Sequence, residues 1–240
     1  MTKLSVNINK VATIRNARGG DYPNLIEFAK KCMEYGADGI TIHPRPDQRH
    51  IKFQDVEDLS QFLPTENCEF NIEGYPDEHF IEMVLKYKPT QVTLVPDPPH
   101  ILTSDSGWDT IRQEDFLRPI IDKFNNADIR VSLFMDTDEA MIRKAKELGA
   151  ERIEFYTGQY FKDYPLNKEK AVEEFVRAYH VTLDCGLVVN AGHDLNLDNL
   201  AFFKQNLPEL AEVSIGHWLI SDCLYYGLQN VIPMYKRLLV

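Results

Sequence analysis

Short apolar or alternating runs recur along the chain at Leu4–Ile8, Gly39–His43, Glu69–Glu73, Gln91–Val95, Ile129–Met135, Arg152–Tyr156, Leu187–Asn190 and Val213–Gly216, and each predicts a β-strand. Between them, apolar residues at three-and-four spacing predict helices over Asn24–Tyr35, Asp77–Lys86, Glu114–Phe124, Glu139–Leu148, Lys168–Leu183 and Leu219–Leu238. Gly36 and Gly149 stand where two of these helices should close before the next strand. The phrases Tyr-Gly-Ala-Asp-Gly-Ile (35–40) and Leu-Gly-Ala-Glu-Arg-Ile (148–153) repeat that grammar. Strands alternating with helices in this way predict an α/β fold, a (β/α)8 TIM barrel with additional short helices, in which 1–240 form a single catalytic domain. The longest irregular stretch, Pro96–Trp108, has the length expected of a lid or binding loop.

Composition narrows the class. A hydrophobic content of 44% over 240 residues is enough for a large core, and a net charge of -11 argues against nonspecific nucleic-acid binding. One basic concentration stands out against that charge: Lys10, Arg15 and Arg18, with no acid before Asp21, suit a phosphate or carboxylate, the alternative being ordinary surface arginines on a solvated connection. Cys32, Cys68, Cys185 and Cys223 are scattered without a paired motif, as packing residues in a reduced compartment would be. No apolar run approaches the roughly 20 residues that span a bilayer, and no leader pattern opens the chain, so a soluble, cytoplasmic protein without membrane partners is expected.

In such a barrel the reacting groups gather at the carboxyl ends of the strands. The strand runs end at or near Asn7, Asn9, His43, Glu73, Asp136, Glu154, Asn190 and His193. Strand alternation would place Asn7 and Asn9 on one face. The loop His43-Pro44-Arg45-Pro46-Asp47-Gln48-Arg49-His50 carries two histidines able to move protons near neutrality and two arginines whose planar forks grip phosphate. Glu73 is a candidate general base followed by a glycine that lets the chain turn away. Glu154 sits in an interior phase, where a salt bridge to Arg or Lys would be the ordinary reading. The seventh and eighth strands lead into Asn190-Ala191-Gly192-His193-Asp194 and Ser214-Ile215-Gly216-His217-Trp218, and loops at these positions of a barrel often hold phosphate with backbone N–H groups.

Taken in order, Val6-Asn7-Ile8-Asn9, Ala-Thr-Ile-Arg-Asn-Ala-Arg-Gly (12–19), Gly-Ala-Asp-Gly-Ile-Thr-Ile-His (36–43), Asp-Gln-Arg-His-Ile (47–51), Val-Ser-Leu-Phe (131–134), Asn-Ala-Gly-His (190–193) and Ile-Gly-His (215–217) resemble the motifs of the pyridoxine 5'-phosphate synthase family over nearly the whole chain. The resemblance implies condensation of 3-amino-2-oxopropyl phosphate with 1-deoxy-D-xylulose 5-phosphate, releasing inorganic phosphate and water without metal or organic cofactor, in a homo-octamer. It implies acid/base work for His43, a general base in Glu73, a proton donor in His193 and a stabilising carboxyl in Glu154. It further implies deoxyxylulose-phosphate contacts at Arg45, His50 and Thr103, and contacts to the aminoketone phosphate at Asn7, Arg18, Gly216 and His217. Asn9 and Lys10 stand where the commoner family pattern has Asp-His contacts to the deoxyxylulose phosphate, and Asp194 stands where it has glycine, bringing an anion beside a phosphate site. Two other readings use the same residues: another sugar-phosphate barrel enzyme of aldolase or epimerase type, separable by substrate screening, and a catalytically silent barrel that binds pyridoxine phosphate without turnover. For a metal-dependent variant, His43, His50, Glu73 and His193 are the available ligands, at a spacing that is not diagnostic.

Overall fold

The computed structural model describes residues 1–66, 68–96 and 106–240. Eight parallel strands close on themselves in sequence order: β1 Lys3–Asn7, β2 Gly39–Ile42, β3 Glu69–Gly74, β4 Gln91–Leu94, β5 Arg130–Met135, β6 Arg152–Tyr156, β7 Val188–Gly192 and β8 Glu212–Ile215. Every run that predicts a strand becomes one, with ends displaced by two residues or fewer. Closure is made by β1 against β8, where Lys3 faces Glu212 and Val6 faces Ile215.

The helices follow as α1 Asn9–Asn16, α2 Leu25–Glu34, α3 Phe53–Phe62, α4 Glu78–Tyr87, α5 Glu114–Asn125, α6 Glu139–Glu147, α7 Gly158–Asp163, α8 Lys168–Asp184, α9 Leu200–Asn206, α10 His217–Tyr226 and α11 Leu228–Leu238. Several start where a short polar side chain accepts from the first turn: Asn24 from Glu27 N, Asp77 from Phe80 N, Asp138 from Met141 N and Asn167 from Lys170 N. Two sequence expectations are corrected. The single helix over Leu219–Leu238 is broken into α10 and α11 at Gly227, whose φ of 77° an L side chain rarely adopts. The basic stretch after β1 is the helix α1 and not an open loop, and Arg15 turns inward on it.

The apolar core lies outside the strands, where Val6, Ile40, Ile72, Val92, Val131, Ile153, Val189 and Val213 are fully buried beneath the helices. The other face of each strand fills the lumen, and there the chain departs from the branched aliphatic layers usual in this fold. Ser5 pairs with Thr41 at 2.7 Å, and Thr93 donates to Asn71 at 3.0 Å. Gln91 reaches Glu212 on the opposite wall at 3.5 Å and accepts from Arg130 at 2.9 Å. Arg152 approaches Glu212 at 3.8 Å, and Glu69 is held between Lys3 and Arg130 at the strands' amino ends. Strand alternation makes one face apolar for the helices and the other polar for the lumen, and hydrogen bonds within that column offset the cost of burying it.

Candidate active site

At the carboxyl ends of the strands lies a cavity of about 410 Å³, within the usual range for a small-molecule site, lined by residues that include Asn7, Asn9, Lys10, His43, Arg45 and His50. Glu73, Glu154, His193, Asp194, Gly216 and His217 complete the set drawn from the sequence, joined by Val95, Phe134 and Ser214. Arg18 is exposed beyond the end of α1 and does not line this cavity, and Thr103 lies outside the described residues, as does most of the expected lid. Of that segment, Trp108 is buried and donates from Nε1 to the Leu94 carbonyl at 2.8 Å, while Gly107 N donates to Asp136 at 2.8 Å.

Glu73 is the centre of the arrangement. Its Oε2 accepts from Asn7 Nδ2 and its Oε1 from Ser214 Oγ, both at 3.3 Å, so strands β1 and β8 position a carboxyl carried by β3 across the lumen. Burial is the largest influence and pushes Glu73 up to about 7, Glu212 adding to it, against the lowering pull of His193 and of the Ser214 hydrogen bond. Glu154 is pushed well above the carboxylate range by burial and by the charges of Glu73 and Glu212. Two interacting buried carboxyls cannot both ionise easily, so Glu154 keeps its proton and the charge falls to Glu73. The salt bridge that would be the ordinary fate of Glu154 is not formed among the described residues; Arg152 pairs with Glu212, and Glu154 Oε2 is buried without a hydrogen bond. Its neighbour Gly192 is required by space, since a Cβ there would stand 2.6 Å from both Glu154 Oε1 and the Ser214 carbonyl.

His43 follows β2 directly, and its backbone N donates to Asn9 Oδ1 at 2.9 Å. Asn9 N in turn donates to Asn7 Oδ1 at 3.1 Å. Asn9 therefore stands on the first turn of α1 and not on the strand, yet both asparagines reach the cavity because the chain bends between them. Burial and the charges of Arg45, His50 and Arg49 lower His43 to about 3, and burial with Arg49, Lys10 and Arg45 lowers His50 to about 4, so both rings are neutral at physiological pH. Cations thus gather around both rings, Arg49 also meeting Asp47 at 3.6 Å, and their charge favours an anionic ligand there.

Arg15 is not one of those cations. It is 3% exposed and holds Asp55 of α3 through Nη1 and Nη2 at 2.5 and 2.8 Å. Asp55 also caps α3 by accepting from Lys52 N at 2.7 Å, while Asn16 Nδ2 holds the His50 carbonyl at 2.7 Å. The pair thus ties α1 to the loop that presents His50. Arg15→Ala is expected to cost about 3–5 kcal/mol by leaving a buried carboxylate unpaired, measured by urea denaturation, whereas an arginine acting only on a ligand would change KM and leave stability intact.

After β7, His193 adopts φ 67° and its Nδ1 lies 2.7 Å from Asp194 Oδ2. Trp218 Nε1 donates to the other carboxylate oxygen at 3.4 Å, and Tyr156 meets the His193 ring edge to face at 5.4 Å. Burial alone would raise Asp194, but the His193 hydrogen bond and charge outweigh it, with Trp218 and His217 assisting, and hold it below the usual carboxylate range. Gly216 and His217 border the cavity at the amino end of α10, a ten-residue helix whose first N–H groups and dipole favour an anion there. Sequence reasoning passed over Ser214, Trp218 and the Arg15–Asp55 pair. Ser214 was recoverable, because alternation from Glu212 puts it on the lumen face.

Among the described residues no group of three or more His, Cys, Asp or Glu side chains is placed to hold a metal ion, and no helix is long and apolar enough to cross a membrane. The cysteines are unpaired, and burial pushes Cys32, Cys68 and Cys223 up.

The solved 3-hexulose-6-phosphate synthase resembles this chain with a TM-score of 0.63 at 12% identity over the whole of both chains. A phosphoribosyl anthranilate isomerase gives 0.61 at 14% identity, covering 100% of this chain and 98% of its own, and these likenesses concern the fold alone. Relatives from Parabacteroides distasonis and Bacteroides thetaiotaomicron, both named pyridoxine 5'-phosphate synthase, are each 56% identical over 239 residues, covering 100% of this chain and 99% and 100% of their own. One from Cytophaga hutchinsonii, of the same name, is 54% identical over 237 residues, 99% of this chain and 98% of its own. The profile described as "Pyridoxal phosphate biosynthesis protein PdxJ" matches residues 4–240, and with relatives this close over their full length, the chain belongs to that family.

Proposed function

We propose that this chain is a pyridoxine 5'-phosphate synthase, condensing 3-amino-2-oxopropyl phosphate with 1-deoxy-D-xylulose 5-phosphate to give pyridoxine 5'-phosphate, inorganic phosphate and water, with 1–240 acting as one catalytic domain. The observation that carries the reading, beside the family, is the pairing of an ionisable Glu73 with a protonated Glu154 in a cavity that also holds His43 and His193. Imine formation between the amine and the ketone, dehydration and enolisation all require groups that give and take protons at neutral pH. Glu73 takes the carbon-bound proton. His43, neutral, accepts and returns protons from the end of the adjacent strand β2, and Glu154 donates a hydrogen bond to oxygen that gains charge. His193 protonates the phosphate oxygen that leaves. Lys10, Arg45 and His50 would face the deoxyxylulose phosphate together with Asn9, while Asn7, Gly216 and His217 would hold the phosphate retained in the product. Arg18 and Thr103 are assigned to these phosphates by resemblance.

The unpaired, scattered cysteines support a cytoplasmic location, and the same resemblance implies assembly as a homo-octamer. Leu224, Tyr225 and Tyr226, 74%, 83% and 55% exposed on α10, offer an apolar surface that self-association would cover. The deciding experiment mixes purified protein with both substrates, without added metal, and follows pyridoxine 5'-phosphate and inorganic phosphate together. Equal appearance of the two is expected. Folded protein that yields neither would overturn the assignment and favour a silent barrel, and turnover of other sugar phosphates alone would favour an aldolase or epimerase.

A further inference from the structure

His193 occupies a left-handed backbone conformation, φ 67°, that residues with a side chain rarely adopt, so something must hold it there. The following residue is built in on every side. Asp194 N donates to Thr157 Oγ1 at 3.2 Å, its carbonyl accepts from Asn199 Nδ2 at 3.2 Å, its Oδ1 accepts from Trp218 Nε1 at 3.4 Å and its Oδ2 lies 2.7 Å from His193 Nδ1. Thr157 Oγ1 also donates to the Gly192 carbonyl, so the two residues flanking His193 share one anchor at the end of β6. The Tyr156 ring meets the imidazole edge to face at 5.4 Å.

We propose that Asp194 is a positioning residue that forms a dyad with His193, fixing the imidazole tautomer and aiming Nε2 at the leaving phosphate, and is not itself a substrate ligand. The inference deepens the proposed synthase activity and rests on it for the catalytic part. The chemistry follows from the donor inventory: an ionised carboxylate only accepts, so the short contact places a proton on His193 Nδ1. Nε2 is then the ring nitrogen left to the ligand, because His193 lines the cavity. In the elimination, the base removes a carbon-bound proton and that electron pair becomes the new double bond. The C–O bond to phosphate breaks with its electron pair on oxygen, and that oxygen takes a proton from Nε2, which His193 has taken up beforehand to become an imidazolium stabilised by Asp194. The ring is left neutral with its remaining proton on Nδ1, still bonded to Asp194. Serine hydrolases hold their histidine with a carboxylate in the same manner, and replacing that carboxylate by its amide leaves the geometry intact while presenting the wrong tautomer.

The test combines Asp194→Asn, which preserves shape, with Asp194→Gly, which removes the group. Proton-detected nitrogen spectra of histidine-labelled protein, with the His193 signal identified by its loss in His193→Gln, should show the neutral ring protonated at Nδ1 in the natural sequence and lose that preference in both variants. Phosphate release should fall about tenfold or more in kcat, with KM for both substrates held within about twofold. A wild-type ring protonated at Nε2 would overturn the dyad. So would unchanged kcat in both folded variants, or a rise in KM at constant kcat, which would make Asp194 a substrate contact. The spectra need no turnover, so a protein that makes no pyridoxine 5'-phosphate would refute the synthase reading while leaving the dyad decided by its tautomer.

Discussion

Glu73→Gln is expected to lower kcat by about 10²- to 10⁴-fold, the range over which a positioned general base contributes, while making the protein more stable at alkaline pH. Both effects have one cause. Burial raises the folded-state affinity of Glu73 for its proton from the ordinary 4.5 to about 7. Stability from a carboxyl raised in this way is full below the unfolded value and is lost as pH rises through the folded one, because the charged form must then be kept out of water. Glutamine keeps the shape and most hydrogen-bonding capacity but never charges. At pH 8 the variant should therefore exceed the natural protein by on the order of 3 kcal/mol, and the advantage should shrink toward pH 4.5. Thermal melts at the two pH values check the second effect. A pH profile of kcat/KM checks the first: it should fall tenfold per unit below about pH 7 in the natural sequence. Full turnover in Glu73→Gln would remove the base, and equal melting at pH 8 would remove the burial argument.

That trade between stability and activity was only partly legible in the sequence. The strands were, because each carries an apolar helix-facing row, and Asn7, His43, Glu73, Glu154 and His193 stood out as polar residues at strand ends where packing alone would favour aliphatics. What local pattern could not give is partnership across the barrel. Ser214 and Asn7 meet on Glu73 from strands on either side of the closure, and Arg15 finds its acid forty residues away in Asp55. A basic run without nearby acids therefore read as an anion site, although one of its members was already neutralised by the fold. Helix α1 was missed for a related reason: its eight residues are too few for a clear amphipathic period, and tertiary packing of Val11, Ala12 and Arg15 holds it. The break at Gly227 was missed because the apolar pattern continues across it and only a backbone angle, invisible to hydropathy, divides α10 from α11.

His43→Ala is expected to reduce kcat by about 10²-fold or more, with the opposite pH signature to Glu73. Burial first, and then Arg45, His50 and Arg49, depress His43 from the ordinary 6.5 to about 3. The folded protein therefore refuses a proton that the unfolded chain accepts. Stability from such a group is full above the unfolded value and is lost as pH falls through 6.5 toward 3. Alanine cannot charge, so the variant should lose less stability than the natural sequence between pH 6.5 and 4, and its residual activity should keep the limb near pH 7 that belongs to Glu73. A pH profile in which that limb vanishes with His43 would assign it to the wrong residue. Depressed histidine and elevated glutamate are two readings of one property: burial in the cavity penalises either charge, and cations around His43 deepen the penalty on that side alone. An anionic ligand entering beside Lys10, Arg45 and His50 would reverse the bias there, raising the proton affinity of His43 toward neutrality as the site fills. Nitrogen chemical shifts of His43 measured with and without inorganic phosphate test this, the expected result being a ring that protonates at higher pH when phosphate is bound.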